Sequence, residues 1–144
     1  MKYVIALLFS LMTASSFAND MALIAGKYRY EKYAVTMANG NVLSLANIGI
    51  KSINMSFNTD STVLMEATML NGKIVKEKAV IKEIKIKGNK GYWIARWSDI
   101  NYDIREDFSF HDDVFEYEAK FQDKSDKDRY GAVERGTLKK MPFF

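Results

Sequence analysis

Residues 100–121 read INYDIREDFSFHDDVFEYEAKF. Ile100, Tyr102, Ile104, Phe108 and Phe110 fall on one parity, and Asn101, Asp103, Arg105, Asp107 and Ser109 on the other. After His111-Asp112-Asp113 the pattern resumes, with Phe115, Tyr117, Ala119 and Phe121 alternating with Glu116, Glu118 and Lys120. Successive side chains of a strand point to opposite faces, so period two means one buried face and one wet face. Helical spacing fits neither stretch. Two alternating runs joined by a short polar turn predict an antiparallel hairpin.

Turn signals recur along the rest of the chain: Ala38-Asn39-Gly40-Asn41, Asn58-Thr59-Asp60-Ser61, Asn71-Gly72, Gly88-Asn89-Lys90-Gly91 and the stretch from Asp123 to Asp128. Asn and Gly tolerate the positive φ that tight hairpins need. Asn71-Gly72 is the strongest, a two-residue signal between apolar segments. Ile53, Met55 and Phe57 repeat the alternation. In 73–87, Val75, Ala79 and Ile81 lie on one parity and Ile84 and Ile86 on the other, so a bulge near Lys82-Glu83 is expected, with a short helix as the competing reading. The stretch 41–47 reads as a short helix or a loop across one end of the sheet.

The sum is about eight strands: 26–37, 49–58, 62–70, 73–87, 91–98, 100–110, 113–121 and 130–140. Short sequential links favour a meander. A meander with one apolar face removes its edges by closing. The expected fold is therefore all-β, an eight-stranded antiparallel up-and-down β-barrel. A sandwich is the alternative, but its crossings need longer connections.

The chain has 144 residues, 48% of them hydrophobic and 27% charged, a net charge of +3 and no cysteine. That length suits one domain, and the composition excludes a disordered, collagenous or coiled-coil chain. Without cysteine there is no disulfide framework, thiol nucleophile or thiolate metal site. Residues 1–18, MKYVIALLFSLMTASSFA, combine Lys2, an apolar run and small residues at Ser16 and Ala18. This is the pattern of a secretory signal cleaved before Asn19, so the barrel domain is expected over 19–144 and the protein in the periplasm or secreted. The run is too short for a transmembrane span, which needs about 20 apolar residues. Export and the small charge argue against nucleic acid as a partner.

Gly26-Lys27-Tyr28 opens the first strand, and Arg129 and Arg135 flank the start of the last. Gly-X-aromatic followed by a distant arginine resembles the lipocalins, with Tyr28 where their tryptophan is expected. The size, the meander and the long first connection resemble the same calycin-type barrels. The resemblance implies an interior site for a small apolar or amphipathic ligand, and an Arg135 (or Arg129) side chain packed across Tyr28 to close the barrel base.

Inward candidates are Tyr28, Phe57, Tyr102, Phe108, Phe110, Phe115, Tyr117 and Phe121, which would either line a pocket or fill it. Glu106 is in phase with Ile104 and Phe108. An unpaired buried carboxylate costs several kcal/mol, so Glu106 is expected to be protonated, exposed to water or paired, with Arg96 as the candidate partner. Trp93 and Trp97 share a parity with Ala95, and tryptophan offers a pocket both area and a donor. The expected ligand-binding set is Trp93, Trp97, Tyr102, Glu106 and Phe108, with Glu106 as polar anchor. His111-Asp112-Asp113 lacks the further ligands zinc requires and reads as a solvated turn. No nucleophile elbow, phosphate loop or cofactor motif appears, so neither a catalytic residue, a metal nor a cofactor is assigned. The other function class is a filled barrel acting as a protein-interaction module, of inhibitor or immunity type, toward an exported partner. Its candidate surface is the lysine-rich segment Lys73–Lys90, whose lysines also guard against edge pairing.

Overall fold

The computed structural model describes residues 16–142, and the greater part of the signal expected at 1–18 lies outside them. The expected alternation becomes a closed barrel. Its strands are β1 (Gly26–Thr36), β3 (Ile50–Phe57), β4 (Thr62–Met69), β5 (Ile74–Lys87), β6 (Lys90–Trp97), β7 (Ile104–His111), β8 (Val114–Lys120) and β9 (Val133–Lys140). Each pairs antiparallel with the next, and β1 pairs with β9 to close the ring. A ninth, two-residue strand, β2 (Val42–Leu43), adds to the far end of β1, and a 3-10 turn at Ala46–Ile48 follows it. These two short elements occupy the stretch that read ambiguously as helix or loop.

The pairing shifts register at three places, one of them in β3 against β4 between Ile50 and Ser52. In β5 the pairing with β6 shifts between Ile81 and Glu83, where the parity of the apolar residues changes. In β1 the pairing with β9 shifts between Tyr30 and Lys32. One extra residue there reverses the alternation, so both Tyr30 and Tyr33 turn inward. The turn after β4 is wider than two residues: Leu70 to Lys73 lie outside the strands, closed by Gly72 N–H donating to the Met69 carbonyl at 2.9 Å with Gly72 at φ 86°. Two strands start later than the pattern suggests. Residues 100–103 and 130–132 belong to loops, because Arg96–Asp103 and Arg129–Asp126 contacts hold local turns there.

The barrel has two unlike ends. At one, tight turns at 58–61, 88–89 and 112–113 meet a helix over 16–24. The helix buries Met21 and Ile24, and the Ile24 carbonyl accepts the Tyr28 hydroxyl at 2.9 Å. The expected cleavage point, before Asn19, falls within this helix. Behind it Phe57, Trp93, Phe108 and Phe115 pack ring on ring, with Phe115 stacked on Trp93 at 5.3 Å and on Phe108 at 4.9 Å. At the other end the connections are the longer loops 37–49, 98–103 and 121–132 and the turn at 70–73.

Candidate functional site

Below the aromatic layer, toward the long loops, the interior opens into a cavity of about 230 Å³. Ile50, Ile53, Met55, Met65, Trp93, Trp97, Ile104 and Leu138 supply its apolar wall. A void of about 150 Å³ already accepts benzene, so a small ring or short chain fits here.

One side of the wall is polar. Tyr33 Oη donates to Glu134 Oε2 at 3.0 Å, and Tyr117 Oη donates to Glu134 Oε1 at 2.6 Å. The Tyr30 hydroxyl in turn donates to that of Tyr117. Gly136 makes this cluster possible: a Cβ there would collide with the Tyr117 ring and lie 2.7 Å from that of Tyr30. Burial pushes the Tyr30 and Tyr117 hydroxyls well above the usual phenol range, with the nearby Glu134 acting in the same direction. Burial also raises Glu134, although its tyrosine donors pull the other way.

Glu106 stands beside this cluster and is only 6% exposed. Its place follows from the strand period, since it lies between Ile104 and Phe108 on the inner face of β7. It pairs in register with Trp93 on β6, whose indole works to hold its pKa down. Burial, followed by the charge of Glu134, pushes Glu106 up to about 8. The expected partner Arg96 is not available to it. Arg96 has the opposite parity to Trp93 and Trp97, and its Nε bonds Asp103 on the outside at 2.8 Å.

Along the cross-strand row, Glu106 pairs with Ala119 and Ala119 with Glu134. The two acids therefore stand two strands apart, with a single methyl between them. Glu77, Asp99 and Arg129 lie at the mouth. Arg129 is already engaged, by Asp126 at 3.1 Å and Asp99 at 3.5 Å.

Of the five residues expected to line a pocket, Trp93, Trp97 and Glu106 do so. Phe108 belongs to the filled aromatic layer on the far side of Trp93. Tyr102 sits in a loop above the strand and donates to Asp126 at 2.6 Å, so it braces the rim. The closure across Tyr28 also differs from what the resemblance implies. Arg135 pairs with Ala34 in register, points outward and bonds Glu118 at 2.8 Å. The cation over the Tyr28 ring among the described residues is Lys140, directly opposite it in register, at 6.0 Å. His111 is exposed at its hairpin, with Asp112 at φ 54° in the turn.

Tyr30, Tyr33 and Glu134 are additional site residues. Glu134 had a signal, because it is in phase with Leu138 as Glu106 is with Ile104. Tyr33 had none without the β1 bulge. Among the described residues no group of three or more His, Asp or Glu side chains stands close enough to hold a metal ion, and no helix is long and apolar enough to cross a membrane. No family model, curated protein or solved structure matches this chain.

Proposed function

We propose that this protein is an exported β-barrel that binds a small apolar or amphipathic molecule in its interior, as the lipocalin resemblance implies. The observation that supports the reading is the cavity of about 230 Å³, apolar on most of its wall and polar on one side. Ligand sites commonly have that make-up: apolar area for affinity and a few convergent polar groups for orientation. A barrel that served only as a scaffold would gain by filling the space, since unfilled core volume forfeits packing contacts.

Native mass spectrometry of the protein purified from its exporting host, followed by organic extraction, tests the reading. A stoichiometric small molecule in both measurements is the expected result. Trp93 and Trp97 line the cavity, so their fluorescence reports occupancy directly. A bare polypeptide mass, together with unchanged tryptophan emission across a panel of small amphipathic molecules, would sink it.

The protein-partner reading rests on a different observation. Leu70 and Ile74 are 63% and 58% exposed at the β4–β5 turn, flanking Lys73. A partner held there would be an acidic, partly apolar surface. Leu70→Ser with Ile74→Ser would then abolish partner binding and leave tryptophan-reported ligand binding intact.

A further inference from the structure

The chemistry of the cavity wall narrows the ligand class, and the narrowing rests on the interior-binding reading above. The cavity lining carries four carboxyls (Glu77, Asp99, Glu106 and Glu134) against one guanidinium, Arg129. Arg129 is spoken for by Asp126 and Asp99 at the mouth. Deeper in, Glu134 receives two tyrosine hydroxyls. Among the described residues, Glu106 has the Trp93 indole beside it and no cation. It is a buried carboxyl with lone pairs to spare, and it lines the cavity.

The row of residues around Glu106 shows what would satisfy it. Glu106 and Glu134 flank the fully buried Ala119 in register, and both acids line the cavity. Adjacent strands lie about 4.8 Å apart, so the two backbones are roughly 10 Å apart, and inward-pointing side chains on a curved sheet converge from there. A donor with several N–H groups, placed in the cavity that both acids line, reaches both carboxyls. The walls on either side are aromatic, with Trp93, Tyr30 and Tyr117 around the gap. Aromatic faces attract cations, and more strongly where water is excluded.

We propose that the cavity recognises a small organic amine: a protonated amino group seated between Glu106 and Glu134, with its apolar body lying against Trp93, Trp97 and Ile53. A bare metal ion fits less well, because the acids at this depth number two and the remaining wall is ring and alkyl. A carboxylic acid is disfavoured, since it would bring a third acid to the pair. A neutral alcohol satisfies one acceptor and gains no charge pairing.

The test is a matched series on one skeleton. 2-Phenylethylamine, 2-phenylethanol and phenylacetate are titrated at pH 7.5 into the purified full-length protein, with tryptophan emission and calorimetry as readouts. Hexylamine, hexanol and hexanoate repeat the series on a linear skeleton. The amines are expected to bind at least tenfold tighter than the alcohols, with the acids weakest. Glu106→Gln is expected to cut amine affinity tenfold or more and leave alcohol affinity within twofold. It keeps the shape of a protonated Glu106, so the fold is retained. Glu134→Gln gives the same direction of change from the other side of Ala119.

Alcohols or acids binding as well as the amines would overturn the amine assignment and leave the interior-binding reading standing. Amine binding unaffected by both variants would overturn it too. No binding of either skeleton in any charge state would overturn both readings.

Discussion

The two halves of the barrel interior are built from the same strands and solve opposite problems. Toward the helix over 16–24, the inward positions carry Phe57, Trp93, Phe108 and Phe115, whose rings fill the lumen. Toward the long loops, the same alternation delivers Glu106, Trp97 and Glu134 to a cavity wall, and part of the lumen stays open. In β8 the change occupies one strand: Phe115 is in the packed aromatic layer, Tyr117 belongs to the polar cluster and Ala119 is a small buried residue between the two acids. Ring-on-ring packing is thus concentrated at one end, and polar chemistry beside a smaller apolar cluster of Ile104, Ala119, Phe121 and Ala132 at the other. A β-barrel can hold both because neighbouring inward residues are two positions apart and answer to different neighbours.

The largest effect expected from this contrast is a core truncation. Phe115 is 2% exposed and contacts Trp93, Phe108, Phe57 and Tyr28. Phe115→Ala should cost about 3–5 kcal/mol in urea unfolding, the usual range for removing a buried ring. Trp97→Ala removes a larger side chain from the open end, where it is only partly packed. Its cost should be less than half as great, with the main loss appearing in ligand binding. Equal costs at the two positions would show that the open end is as tightly held as the filled one.

The next effect depends on pH. Glu106 moves from 4.5 to about 8 on folding. A carboxyl raised in the folded state binds more protons there than in the unfolded chain. Its favourable contribution is complete below about 4.5 and is lost as pH rises through about 8. Each tenfold in proton affinity is about 1.4 kcal/mol. Glu106→Gln, which stays neutral, should match the parent near pH 5 and exceed it by about 2–4 kcal/mol near pH 9. The groups facing Glu106 are Glu134, Tyr30, Tyr33 and Tyr117, and all remain in the variant, so the difference isolates one carboxyl. Parallel pH curves for the two proteins would mean that Glu106 is solvated in solution and that the polar half is wet.

Much of this contrast was legible in the order of the residues. The hairpin of 100–121, the β5 bulge and the up-and-down order follow from period two and from Asn/Gly turns, which are local properties. Glu106 stood out because it broke an apolar row. The partner assigned to it did not hold, since Arg96 is one residue out of phase with Trp93 and Trp97 and belongs to the outer face. Tyr33 was hidden for the converse reason: the β1 bulge reverses parity between Tyr30 and Tyr33, and Tyr-Glu-Lys-Tyr carries no apolar row to show it. The cavity itself was not legible. Whether eight inward aromatics fill a barrel depends on how far along the axis each ring lies, and Phe108 and Phe115 spend their volume on the filled end. Tyr102 looked inward by parity, but its segment is a loop in which parity has no meaning.

The smallest effect tests the outer wall against the inner one. Arg135 Nε lies 2.8 Å from Glu118 Oε2, with side-chain exposures of 61% and 35%. A pair so open to water loses most of its attraction to solvent screening, and exposed pairs contribute about 0–1 kcal/mol. Arg135→Ala, Glu118→Ala and the double variant should therefore give a coupling under about 1 kcal/mol, shrinking further in 0.5 M salt. If Arg135 instead closed the barrel across Tyr28, Arg135→Ala would cost far more, and Glu118→Ala would not share that cost. Lys140 provides the control. It pairs with Tyr28 in register and lies over the ring, so Lys140→Ala should perturb Tyr28 where Arg135→Ala does not. The outer-wall charges would then be dispensable beside the inner pair at Glu106 and Glu134, where the same kind of group is shut away from water.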